Sequence, residues 1–212
     1  MPKLRIRQHV NPLTSKFQQP ILLPDWSQVY CDPNRPLHLD IGCARGEFLL
    51  QMAQLKSETN FLGIEIRKPL VINANQKKAK LNLSNLHYLF GNINSSALPI
   101  LESLGTNILN SVTIQFPDPW FKNKHHKRRV VQPELVALLS NYLVEGGTIF
   151  VQSDIKEVAE EMCDRFAANP LLVRQQQTWL STNPLEVPTE RELYVISKDK
   201  PVYRAVFEKI SK

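Results

Sequence analysis

A chain of 212 residues with 42% hydrophobic content suffices for one well-buried core and is too short for two ordinary domains plus a linker. Lys and Arg number 26 against 20 Asp and Glu, an excess about equal to the charge of the single tract at 122–129, so the basicity is local and points to a polyanionic partner. Three widely spaced cysteines, Cys31, Cys43 and Cys163, give neither a CxxC metal pattern nor an even disulfide set. No apolar leader or run approaches the roughly 20 residues of a membrane span, so the expectation is a cytoplasmic protein without membrane or metal.

Residues 1–36 carry Lys3, Arg5, Arg7, His9 and Lys16 among six prolines and show no sustained periodicity; they read as a basic arm or partly ordered lead-in to a single domain over 37–212. Within that domain the pattern alternates. Strands are expected at Leu37–Ile41, 61–66 and Leu86–Phe90, with helices at Glu47–Leu55 and at 69–81, where Pro69 suits a first turn. A fourth strand follows at 111–116, a helix at 133–143 stopped by Gly146-Gly147, a strand at 148–152 and a helix at 155–168 stopped by Asn169-Pro170. Two closing strands are expected at 171–178 and 202–209, joined by a proline-bounded loop. This succession implies an α/β fold with a mostly parallel seven-stranded sheet, helices on both faces and ligands at the carboxyl ends of the strands.

The first strand runs through Asp40 into the turn Gly42-Cys43-Ala44-Arg45-Gly46 and then a helix, a usual approach to a nucleotide-like cofactor. A dinucleotide site wants G-x-G-x-x-G, yet Ala44 and Glu47 stand where the second and third glycines would be, and Glu47 would repel a pyrophosphate. Asp40 and Glu47 suit instead a phosphate-free cofactor with ammonium and sulfonium groups, which describes S-adenosylmethionine. Glu65, ending the second strand, is placed to accept both ribose hydroxyls. Asn92, after the third strand, is placed to meet the adenine edge or simply to make a turn.

After the fourth strand come Phe116-Pro117-Asp118-Pro119-Trp120-Phe121 and a dense basic tract. The prolines force the chain off the sheet as a stiff loop that positions Asp118. Lys122, Lys124, Lys127, Arg128 and Arg129, interleaved with Trp120, Phe121, His125 and His126, offer phosphate-binding charges beside flat faces for bases; a solvated surface run is the alternative. Near the C-terminus, Thr189-Glu190-Arg191-Glu192 reads either as a polar cluster reaching over the strand ends or as a helix-capping box.

From Leu37 onward the chain resembles the tRNA (guanine-N7)-methyltransferases in their single-subunit bacterial form. The resemblance is carried by Phe116 to Lys122 followed by His126-Lys127-Arg128-Arg129, and by the Thr-x-x-Glu of 189–192. It differs from the family's common pattern at Asp40 and Ala44, often Glu and Gly, at Asn92, often Asp, and at Phe121, often Pro. The resemblance implies a class I, Rossmann-like fold and S-adenosylmethionine-dependent methylation of guanine N7 at a variable-loop guanosine of tRNA. It further implies cofactor contacts from Asp40, Gly42, Glu65, Asn92 and Asp118, with Asp118 also next to the substrate. Lys122, Asp154, Thr189, Glu190, Arg191 and Glu192 would contact substrate, Lys124, Lys127, Arg128 and Arg129 the phosphates, and no obligatory protein partner is expected.

Guanine N7 already carries an in-plane lone pair, so the transfer needs positioning rather than deprotonation. Asp118 is therefore expected to grip the N1–H and N2–H₂ edge of the base. Two readings compete: a class I methyltransferase acting on another base or a protein side chain, since Asp118-Pro119-Trp120 is similar to Asn/Asp-Pro-Pro-aromatic, and a non-catalytic RNA-binding module.

Overall fold

The structure, a computed structural model, describes residues 10–211. β1 (Leu37–Ile41) sits inside a seven-stranded sheet, with β2 (Asn60–Glu65) and β3 (Leu86–Phe90) on one side and β4 (Leu109–Gln115) and β5 (Leu143–Ser153) on the other, all parallel. β6 (Leu172–Arg174) and β7 (Tyr203–Lys209) complete the order 3-2-1-4-5-7-6, with β7 antiparallel to both β5 and β6. Because helices cover both faces, β1 and β2 are buried at every residue, including the polar His38, Asp40, Asn60 and Glu65.

Strand alternation divides the core. Phe61 packs with Phe48, Leu49, Val71 and Tyr88 beneath α2 (Glu47–Leu55) and α3 (Lys68–Lys80). Leu62 and Ile64 point the other way, joining residues of α4 (Ile93–Leu104), α5 (Pro133–Tyr142) and α6 (Lys156–Ala167). The lead-in is tied to this second core through the short α1 (Trp26–Val29): Trp26 stacks on Tyr30 at 5.7 Å and donates to Ser103 Oγ at 3.0 Å, while the Tyr30 hydroxyl donates to the Phe61 carbonyl. Lys3, Arg5, Arg7 and His9 lie outside the described residues.

Two helices depart from the expectations. α4 fills a stretch where Ser95-Ser96 and an interior Pro99 obscure the period; Asn92 caps it by accepting from the Asn94 N–H at 3.2 Å. α7 (Glu190–Ile196) replaces part of the expected loop, and Thr189 accepts from the Glu192 N–H at 3.1 Å. The Thr-x-x-Glu segment is thus a helix N-cap. β5 extends to eleven residues, and β6 keeps only three of the eight expected.

Candidate active site

The carboxyl ends of β1 to β5 converge on two adjoining cavities. One, of about 140 Å³, includes Gly42, Glu65, Arg67, Gly91, Asn92 and Ile93, with Val10 and Pro12 of the lead-in. The other, of about 540 Å³, includes Asp40, Cys43, Ala44, Glu47, Phe121, Asp154, Thr189, Glu190 and Arg191. Gly42, Arg67, Gln115, Phe116, Pro117 and Asp118 line both. Anything passed from a ligand in one cavity to a ligand in the other crosses this shared wall.

The turn after β1 is built by glycines. Gly42 has φ +86° with open space where a side chain would stand, so ligand can lie against bare backbone. Gly46, at φ +75°, starts α2, and any Cβ there would meet the Tyr88 ring at 2.7 Å, from which the hydroxyl donates to the Gly46 carbonyl.

Asp40 is 4% exposed at the end of a buried polar chain. Ser111 Oγ lies 2.7 Å from His38 Nδ1, His38 Nε2 lies 3.1 Å from Thr113 Oγ1, and Thr113 donates to Asp40 Oδ1 at 2.7 Å. Burial, with help from Lys56, lowers the His38 pKa to about 3, so the imidazole is neutral at ordinary pH. Burial also raises the Asp40 pKa to about 7; the Thr113 bond and the Gln115 amide oppose that rise, and the charge of Glu65 adds to it.

Glu65 is buried and occupied. Its carboxylate accepts from the Ala44 N–H at 3.0 Å, the Arg67 N–H at 2.9 Å, and Arg67 Nε and Nη2 at 2.8 and 2.9 Å. The Glu65 hydrogen bonds raise the Arg67 pKa above its usual value against partial burial, and the charge of Asp118 adds to the rise. Nothing in the residue pattern at 65–67 flagged Arg67, although an acid and an arginine two apart at a strand end suit this two-pronged contact. Asn92 uses its side-chain oxygen on α4 and donates from Nδ2 to the Pro12 carbonyl at 3.2 Å, so its amide is spent on capping and on the lead-in. Glu47 pairs with Lys77 of α3.

The Asp118 loop is strained at both ends, since Phe116 and Trp120 have φ of +49° and +42°. Such values are costly for side chains of this bulk and persist where the surroundings impose them. Here the Phe116 N–H donates to the Gln152 carbonyl at 2.8 Å, and Arg129 Nε donates to the Pro119 carbonyl at 2.8 Å. Arg128 lies over the Trp120 ring at 4.9 Å, and His125 meets its edge.

Arg129 thereby departs from its expected role as a phosphate contact. It is 5% exposed and turned inward, bonded to Glu157 at 2.9 Å and to Glu161, both on α6. Those acids recur at i and i+4, a visible sign of an inward arginine partner. Lys122, Lys124 and Lys127 are exposed, and Arg128 is half-buried against Trp120.

Asp154 and Arg191 pair at 2.5 Å within the larger cavity, and Thr189 and Glu190 lie beside them. Glu192 does not join them. It is 1% exposed behind the wall, accepting from Arg204 Nη2 at 2.7 Å, Asn183 Nδ2 at 2.7 Å and Gln152 Nε2 at 3.2 Å. The expected Glu192 contact with substrate gives way to a buried anchor because a charge that deep needs an arginine. Among the described residues, no cluster of His, Cys, Asp and Glu fit for a metal occurs, and no helix is long and apolar enough to cross a membrane.

A family model described as "Putative methyltransferase" matches residues 34–205. The chain is 60% identical over its whole length to a protein of Trichormus variabilis named tRNA (guanine-N(7)-)-methyltransferase, covering 99% of it. Relatives of the same name from Microcystis aeruginosa and Synechocystis sp. are 60% and 53% identical over 98% and 99% of the chain, each covered to 99%. Among solved structures, a 30S ribosomal A1408 methyltransferase from an uncultured bacterium aligns with TM-score 0.57 at 17% identity, over 89% of this chain and 96% of that one. The aminoglycoside resistance methyltransferase NpmB1 aligns with TM-score 0.55 at 17% identity, over 87% and 90%. The architecture is the class I, Rossmann-like methyltransferase fold expected from the motifs.

Proposed function

The chain belongs to the tRNA (guanine-N7-)-methyltransferase family, and from that premise we propose that it methylates N7 of a guanosine in tRNA with S-adenosylmethionine as donor. The observation that carries the reading is the wall shared by the two cavities, because Asp118 on that wall faces a donor site on one side and an acceptor site on the other.

The smaller cavity fits the proposed cofactor by its donor set. Glu65 offers a buried carboxylate to a ribose diol and Gly42 a bare backbone, while Asp40, on the larger cavity beyond the shared Gly42, offers a carboxylate to an ammonium group. Its volume falls below the roughly 300–1,000 Å³ of small-molecule sites, and Arg67, Val10 and Pro12 are the groups whose movement would enlarge it. When bound, S-adenosylmethionine supplies an electrophilic methyl on a sulfonium centre.

The chain's own part is to bring a purine to that centre in line and to hold it there. Asp118 accepts from N1–H and N2–H₂ and offsets the positive charge that grows on the ring. The larger cavity, within the usual range for ligands, takes the splayed-out nucleoside between Phe121 and the Asp154–Arg191 pair. Lys122, Lys124 and Lys127 lie outward, suited to phosphates that position the tRNA without reading its sequence. A tRNA substrate fits a cytoplasmic enzyme, and the reading calls for neither a metal nor a second protein chain.

The test is direct. Incubation with methyl-labelled cofactor and unmodified tRNA, followed by digestion to nucleosides, should give labelled 7-methylguanosine; label in any other nucleoside, or in protein alone, overturns the reading.

A further inference from the structure

Gln115, the last residue of β4, lines both cavities, and its Nε2 is buried without a hydrogen-bond partner among the described residues. A buried amide nitrogen left unmatched is costly, and such exceptions ask for a ligand. The direction of this amide is settled by its neighbours. Arg204 has only donors, and its Nε bonds Gln152 Oε1 at 3.2 Å, so the Gln152 nitrogen must face the other way. That nitrogen donates to Gln115 Oε1 at 2.8 Å and to Glu192 Oε2 at 3.2 Å. Gln115 therefore presents N–H and not C=O to the wall. Asp40 is the competing acceptor: the Gln115 amide acts on its carboxylate as a hydrogen-bond donor and opposes the rise of its pKa, but at a geometry short of a full hydrogen bond.

We propose that Gln115 is a specificity-determining residue, donating an N–H to O6 of the target guanine and so selecting a 6-oxopurine. The inference rests on the reading of the preceding subsection. If Asp118 holds the N1–H and N2–H₂ edge and N7 faces the smaller cavity, O6 lies between them on the ring. Gln115 precedes Asp118 by three residues on the same shared wall. Adenine carries an amino group at that position, and two donors would face each other. The amide cannot turn over to accommodate it, because Glu192 and Arg204 fix Gln152, and Gln152 fixes Gln115. Glu192 thus acts on base choice at a distance, through three side chains.

The experiment uses tRNA carrying guanosine or 6-thioguanosine at the methylated position. Sulfur accepts hydrogen bonds poorly, whereas N1–H and N2–H₂ are retained. Single-turnover rates are measured for the wild-type protein and for Gln115→Met, which keeps the length and removes the donor, and S-adenosylhomocysteine binding is measured in parallel. The wild type should lose about five- to a hundredfold on the thio substrate, the range expected for an unmatched buried donor. In Gln115→Met that penalty should shrink at least about fivefold, with cofactor affinity unchanged, since the cycle isolates the pairwise interaction.

An equal penalty in both proteins overturns the proposal, as does a wild type indifferent to sulfur, a result that does not depend on the variant folding. A variant with weakened cofactor binding and an undiminished thio penalty assigns the amide to Asp40 and likewise overturns it. A wild type that methylates no guanosine at all sinks the underlying reading instead, which is a distinguishable failure.

Discussion

The Glu65 carboxylate and the Arg67 guanidinium, two residues apart at the end of β2, form a two-pronged pair, with Nε–Oε1 at 2.8 Å and Nη2–Oε2 at 2.9 Å. The acceptor proposed for the ribose diol is thus held ready by a charge that must yield part of it. Glu65→Ala removes a charge-assisted acceptor and should cost roughly 1.5–3 kcal/mol of cofactor binding, a loss of about ten- to over a hundredfold in affinity. Calorimetric titration with S-adenosylhomocysteine checks it; an unaltered Kd places the ribose elsewhere.

Asp40 makes cofactor binding sensitive to pH. Its pKa of about 7 is raised by burial, so near neutrality a large fraction of the protein carries the neutral acid. If the ammonium group binds the carboxylate, affinity should fall about tenfold from pH 8 to pH 6, and Asp40→Asn should flatten the profile at weaker affinity. The sign for stability is opposite. A carboxyl whose folded pKa exceeds its unfolded value contributes stability at low pH, and that contribution is lost between about pH 4 and pH 7 as the unfolded chain ionises first. Denaturant melts across this window, wild type against Asp40→Asn, show the contribution as a difference in slope.

Asp118→Ala should slow single turnover by at least about a hundredfold, the scale at which misplacement of a reactant is felt, while leaving cofactor affinity within a few fold. A large loss of S-adenosylhomocysteine binding would move Asp118 from the base to the cofactor.

The basic tract should separate into two kinds of residue. Replacing Lys122, Lys124 and Lys127 with Ala should weaken tRNA binding and reduce the slope of log K against log salt by about 0.7–0.9 for each phosphate no longer neutralised. Arg129→Ala should instead lower the melting temperature, because it strips a buried guanidinium from Glu157, Glu161 and the Pro119 carbonyl. If Arg129→Ala changes only the salt slope, the inward clamp is not what the residue contributes.

Glu192→Ala should leave the Arg204 charge buried and unpaired, at a cost of about 3–5 kcal/mol and a fall in Tm of about 6–20 °C. Adding Arg204→Met should recover part of that loss. Additive costs for the two changes would mean that the pair does not act as a unit.

The sheet was largely legible because its parallel strands are buried on both faces and bounded by Gly, Pro and Asn; β1, α2 and β3 fall at the expected residues. α4 escaped because Pro99 interrupts a helical period that tertiary packing sustains, and α7 because one Thr-x-x-Glu reads equally as cap or as site. Asp40, Glu65 and Asp118 were readable from strand ends, Asp154 only through the family resemblance, and all four reach the cavities. Glu192 was not, since its partners come from β5, β7 and the 183 loop, and an ion pair formed across the sheet leaves no local signal. Gln115 was hidden for the same reason: its amide orientation is set by Gln152 on the neighbouring strand.

Phe116 and Trp120, held at left-handed φ on either side of Pro117-Asp118-Pro119, bear on how the protein would respond to laboratory selection. Conformations of this sort cost about 1–3 kcal/mol at each residue, a large part of a domain's net stability. A library screened only for survival on heating should therefore enrich Gly or Asn at these two positions early. The survivors would hold their acid on a slacker tether, trading turnover for heat resistance.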